Sequence, residues 1–378
     1  MRKTRYINIP NRFLFNGIPY FANLLLCFMP AIISGFIAVL LKNASPDKVD
    51  SFYSCKIFSG ISSFLGTVFG ITKRSVASVI LILLVLISFV VVISFIIFMI
   101  KSQNRIYIAG IYLKIIVLAI SIVLFLFSIL CMPNYYRLTF AEKAGIELND
   151  YTVSDLEAMC KHLIIETNAQ REKLPDDLVL NFDELAGDTQ ISFNEINEEY
   201  PFLGKAAAKP KPMFPSEVLS ILNLTGFYFP YTGEANVNVD MPPYELPFTM
   251  CHELAHTRGF MRENEANFIG FLGCMKSEHP FVKYSGLYTA LAHSMNTLYA
   301  EDSDKYFELR KLYGEKLNYD SAVVNQYWQP YFDTPAAELS NTVNDVYLKA
   351  NDLSDGIKSY GRMVDLLMAK YLYDGALV

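Results

Sequence analysis

Met250-Cys251-His252-Glu253-Leu254-Ala255-His256 carries two histidines four residues apart, with a glutamate beside the first. On a helix that spacing puts both imidazoles on one face, where they can reach one ion at about 2.0–2.1 Å. A Zn2+ ion there supplies Lewis acidity and lowers the pKa of a bound water towards roughly 7. Glu253, at the rim of the same face, is placed to take that water's proton and pass it to a leaving amine. The chain has only five histidines among 378 residues, so a chance pairing is not expected. The chemistry indicated is hydrolysis of a peptide bond, with one Zn2+ per chain and a peptide or protein as substrate.

The surrounding residues say what must position this group. Prolines 242, 243 and 247 open the helix, and uncharged Leu254 and Ala255 suit a half-buried one. Gly259 offers a left-handed cap that turns the chain back towards the metal. Two carboxylates follow, Glu263 and Glu265, and either can close the site, whereas Arg262 between the turn and the next helix cannot bind zinc. For stabilising an oxyanion the next helix offers Tyr284, Tyr288 and His293. Upstream, Gly226–Asp240 contains an alternating run, with Ala235, Val237 and Val239 on one face and Glu234, Asn236 and Asn238 on the other. Residues 152–173 and 190–200 read as helices, 176–187 as a loop and 205–215 as a linker. Almost everything after Phe248 reads as helix, broken at Gly259, His279–Pro280, Gly314, Pro335 and Gly356.

Glu263-Asn264-Glu265-Ala266-Asn267-Phe268 resembles the Glu-x-x-Ala-Asp/Asn signature that opens the second helix of the gluzincins, the Glu-zincin metallopeptidases. The resemblance implies Glu263 as third ligand and Asn267 as hydrogen-bond partner of a ligand histidine. The spacing from His256 is shorter than in most gluzincins, which keeps Glu265 in contention, and Arg258 departs from the apolar residue usual there. In zincins an edge strand before the active helix pairs with the substrate backbone. That implies a cleft wall at 234–239 with Glu234, Asn236 and Asn238 contacting substrate, against the alternative of an internal strand. YFPYTGEANVN, LPFTMCHELAHTRGF, ENEANF, KYSGLYTAL and SYGRMVDLL together resemble a family of bacterial membrane proteins with a zincin-like domain. This implies a membrane-anchored zinc peptidase and no particular substrate.

The chain as a whole is 52% hydrophobic, with a mean hydropathy of +0.26, which excludes a soluble cytosolic enzyme. Residues 1–133 hold 12 basic and 2 acidic side chains and residues 134–378 hold 20 and 36, so the larger part is no nucleic-acid binder. Three runs, at about 18–41, 76–100 and 111–132, reach the roughly 20 residues needed to cross a bilayer. Lys114 in the third can snorkel to the head groups. Phe52–Ile71 reads as lying in the interface or folding back rather than spanning. Arg2, Lys3, Arg5 and Arg12 favour a cytoplasmic N-terminus, which places the large domain outside after three crossings. Six cysteines without a CxxC pair argue against a disulfide framework. The expected architecture is a helical membrane region, 1–133, and a mainly α (α+β) zincin-like domain, 134–378, with a small sheet. A rival reading keeps the zincin fold as a sensor or binding module with little or no turnover.

Overall fold

The computed structural model describes residues 20–177, 180–350 and 363–377. Gly356 and the basic residues before Tyr20 lie outside them. The first third contains α1 (Tyr20–Lys42), α2 (Pro46–Lys48), a π-helical stretch (Val49–Phe58) running into α3 (Ser59–Gly70), α4 (Val76–Lys101) and α5 (Arg105–Leu130). Then come α6 (Phe140–Ala144), α7 (Val153–Glu172), α8 (Phe182–Glu195), β1 (Lys211–Pro212), α9 (Glu217–Ile221), β2 (Gly226–Phe229) and β3 (Glu234–Val237). From α10 (Leu246–Thr257) the chain is helical: α11 (Glu263–Lys276), α12 (Pro280–Glu301), α13 (Ser303–Arg310), α14 (Glu315–Trp328), α15 (Pro335–Ala350) and α16 (Met363–Asp374).

Two compact units result, Met1–Ser45 with Ser78–Pro133 and Pro46–Ala77 with Asn134–Val378. The boundary read from sequence at 133 keeps 46–77 with the membrane segments, whereas the structure groups those residues with the polar unit. In the first unit, α1, α4 and α5 are long and apolar enough to cross a membrane. At 1.5 Å per residue a 26-residue helix is about 39 Å long, more than the roughly 30 Å of a hydrocarbon core. Ser34 donates to the Leu124 carbonyl at 3.3 Å, and Tyr112 to Ser94 Oγ at 2.8 Å, polar ties of the kind that join helices in lipid. Lys114 is buried rather than extended towards head groups.

In the second unit, α7 forms where its apolar spacing and a Thr152–Asp155 capping box agree, and Leu156, Met159, Cys160, Leu163 and Ile164 are all buried. Helix α8 starts at Phe182, inside the segment read as a loop, because Asn181 caps it by accepting from Asp183 N at 3.0 Å. The segment read as a linker supplies β1. The sheet runs β1–β3–β2, with β1 parallel and β2 antiparallel to β3. β3 is therefore internal, and β2 is an edge among the described residues. Helix α10 lies against this sheet, α8, α11 and α12, and its Leu246, Phe248, Met250, Leu254 and Ala255 enter the core. Each fully buried Leu, Met or Phe contributes about 1.5–3 kcal/mol, which offsets the cost of burying the polar side chains on the same helix.

Candidate metal centre

His252 and His256 lie one turn apart on α10, with their Nε2 atoms 3.1 Å from each other. Helix α10 stops at Thr257, Gly259 adopts the left-handed conformation at φ 83°, and α11 begins at Glu263. That turn brings Glu263 Oε2 to 3.2 Å from His252 Nε2 and 3.7 Å from His256 Nε2. Close helix packing supports the approach, since a Cβ at Gly270 would stand 3.2 Å from the His252 nitrogen. The three residues form a group able to hold a metal ion. Ligands about 2.0–2.1 Å from a tetrahedral zinc stand about 3.3 Å from one another, which the three observed separations bracket.

The tautomer also fits. His256 Nδ1 lies 2.7 Å from the Phe260 carbonyl, which only accepts, so Nδ1 carries a proton, and in the neutral ring the lone pair sits on Nε2, facing His252 and Glu263. His252 Nδ1 is buried without a partner, and so is Asn267 Nδ2. The bond from Asn267 to a ligand histidine is therefore not made. Glu265, the other carboxylate left open by the sequence, is engaged elsewhere. Its Oε1 accepts from Phe140 N at 3.2 Å and Arg262 Nη1 at 3.3 Å.

Glu253 is buried with one carboxylate oxygen unpartnered. Burial pushes its pKa up to about 7, against the pull of His252 and His256 and with help from Glu263. Glu263 itself stays well below the usual carboxylate range. Burial opposes its ionisation, but the two imidazoles outweigh it. For His256, burial works downwards while Glu263 raises the pKa to about 9. The ionised Glu263 carboxylate thus favours positive charge on His256, in the spot a cation could fill.

Gly226 on β2 is part of the arrangement. A Cβ there would meet Glu253 Oε1 at 2.7 Å, so the glycine leaves room for the carboxylate. On the same strand, the Tyr228 ring lies 6.4 Å from that of His256. The residues expected to stabilise an oxyanion are elsewhere, except one. Tyr284 donates to Asp320 at 2.5 Å, and burial and that carboxylate raise its pKa. Tyr288 stacks against Tyr284 and Tyr244 and is hydrogen-bonded with Ser321. Both phenols are turned to α14. His293 is close enough to feel the His252 charge, and burial first and His252 second lower its pKa to about 4.

The cleft wall implied at 234–239 is corrected. Glu234 and Asn236 on the internal strand and Asn238 just beyond it are buried and engaged. Glu234 pairs with Lys211 at 2.7 Å and accepts from Val76 N and Ala77 N. Asn236 Oδ1 accepts from Ser75 Oγ at 2.6 Å, and Asn238 Nδ2 donates to Ser220 Oγ at 2.9 Å. The turn beyond His256 is also clamped. Arg137 donates to the Arg258 carbonyl at 3.1 Å, lies 4.1 Å over the Phe260 ring, and pairs with buried Asp50, which Lys143 also contacts. Sequence reasoning missed Gly226, Tyr228 and this clamp. An isolated glycine inside a strand signals a close approach and could have exposed the first.

A family model described as "Protein of unknown function (DUF3810)" matches residues 53–368. Comparison with curated proteins and with solved structures gives no match.

Proposed function

The chain belongs to that family of proteins of unknown function, and we propose that it is a membrane-anchored, zinc-dependent peptidase whose polar unit is zincin-like. The observation that carries this reading is the convergence of His252 Nε2, His256 Nε2 and Glu263 Oε2 beside the buried Glu253 carboxylate, one oxygen of which has no partner. Those three residues would hold one zinc per chain. When bound, the ion supplies Lewis acidity towards the scissile carbonyl and makes a water acidic enough to attack at neutral pH. Glu253 takes the proton of the attacking water and returns it to the amine of the departing half. Its raised pKa suits both directions of transfer. β2, an edge strand among the described residues, would offer backbone groups to an extended peptide in place of the buried β3. On this reading Tyr228, whose ring lies 6.4 Å from that of His256, and His293 on α12 are the side chains to test for a role in meeting developing negative charge.

The test is the Glu253→Gln variant of the full chain, assayed on a library of quenched fluorescent peptides. The reading expects zinc content equal to wild type and turnover reduced by about 10²-fold or more. Wild-type protein that holds zinc and cleaves nothing would leave a binding module instead.

A further inference from the structure

Between α1 and α4 the chain forms one helical rod, the π-helical stretch Val49–Phe58 followed by α3. The face turned into the polar unit is mixed, with Val49 and Phe58 buried beside Asp50, Ser54 and Ser62, and each of those three polar side chains is engaged. Asp50 pairs with Arg137, Ser54 Oγ donates to Asn134 Oδ1 at 2.8 Å, and Ser62 Oγ donates to the Thr257 carbonyl at 2.5 Å. Arg258 adds a bond to Ser59 Oγ at 3.1 Å. The opposite face exposes Phe52 (66%), Phe64 (66%), Val68 (41%) and Ile71 (83%). The last three fall at the i, i+4, i+7 positions of one helical stripe. A helix at a water boundary has its polar face outwards and does not leave such a stripe uncovered.

The chain connections say what covers it. Residues 43–45 and the short α2 join α1 to the rod's start and 72–75 join Ile71 to α4, both α1 and α4 being long and apolar enough to cross a membrane. The four residues after Ile71 span at most about 14 Å, which keeps that end of the rod beside a bilayer crossed by α4. Exposed Lys48, Lys56 and Arg74 on the rod and its ends complement anionic head groups. We propose that the rod Val49–Gly70, with Ile71, is a lipid-contacting element of the polar unit, with Phe52, Phe64, Val68 and Ile71 against acyl chains. Its inner face at the same time braces the Thr257–Gly259 turn that follows the two histidines. The proposal stands whether or not the centre hydrolyses anything.

The experiment uses the full chain in phosphatidylcholine–phosphatidylglycerol vesicles, with Phe64→Trp and Ile71→Trp made separately. Trp328 is the single native tryptophan and is buried, so wild-type emission gives the background and its spectrum reports folding. Two positions guard against one variant failing to fold. Acyl-chain-brominated lipid is expected to remove roughly half or more of the added emission, with acrylamide having little effect. Quenching by acrylamide and not by bromolipid would put the face in water and overturn the proposal. Protection from both would mean that protein covers it, from this chain or a second copy, and would overturn it equally.

Discussion

Replacing Gly226 with alanine would separate the candidate metal centre from the proposed acid–base group beside it. The added Cβ would stand 2.7 Å from Glu253 Oε1, 2.9 Å from the Asn236 carbonyl and 2.9 Å from Thr249 Cγ2. Carbon atoms pack at about 3.5–4.0 Å, so the overlap with Thr249 is about 0.6 Å or more. The Asn236 carbonyl belongs to the β2–β3 ladder and the threonine to a buried helix, and both resist. The Glu253 carboxylate is the free end of a side chain and yields first. A displacement of that order costs about 10- to 100-fold in turnover, given about 10²-fold for 1 Å of misplacement. Residual overpacking costs about 1–3 kcal/mol of stability. None of the three proposed metal-binding residues is among the atoms met, so zinc content is expected to stay at the wild-type level. Metal analysis, peptide turnover and a denaturation curve on the same preparation read all three quantities. Unchanged turnover would refute the placing of Glu253 in the reaction. Loss of zinc would refute the independence of the glycine from the metal.

Other substitutions sort the carboxylates and tyrosines. Glu263→Gln is expected to abolish stoichiometric zinc, whereas Glu265→Gln keeps it, because the Glu265 oxygen serves Phe140 N and Arg262 instead; metal analysis of both decides. Arg137→Met leaves Asp50 with Lys143 as its one cationic partner among the described residues and is expected to cost about 3–5 kcal/mol in chemical denaturation. It should also weaken zinc binding, since the Arg258 carbonyl loses its donor. Tyr284→Phe removes a buried hydrogen bond to Asp320 and is expected to cost about 1–3 kcal/mol of stability with kcat unchanged. A fall in kcat would restore Tyr284 as a group acting on substrate.

What the sequence made legible is what local chemistry decides. Helix α7 follows from apolar spacing and a capping box, and the break after α10 from a glycine whose φ of 83° other residues avoid. The pairing of His252 with His256 needs only helical periodicity. Contacts made across the chain were not legible. Glu263 and Glu265 share the first turn of α11, and which one meets the imidazoles is set by how the turn from α10 approaches. Glu234, Asn236 and Asn238 alternate with apolar residues as on a wet strand face. Their face is instead covered by Ser75–Ala77 and by Lys211, which lies in a stretch whose prolines and lysines read as a linker. Tyr284 looks like a spare phenol until Asp320, 36 residues later, accepts its hydrogen bond. The clamp joins Asp50 to Arg137, 87 residues away, and no local pattern announces it.

The clamp also decides how the central claim is tested, because residues 46–77 pack with the polar unit and a fragment starting at 134 would lack them. The measurement is zinc stoichiometry with X-ray absorption at the zinc edge on the purified full chain, beside His256→Ala. The expected result is one zinc per chain with two imidazole nitrogens and carboxylate or water oxygen at about 2.0–2.1 Å, and its loss in His256→Ala. A folded chain with no stoichiometric zinc, or with sulfur ligands at about 2.3 Å, would contradict the account.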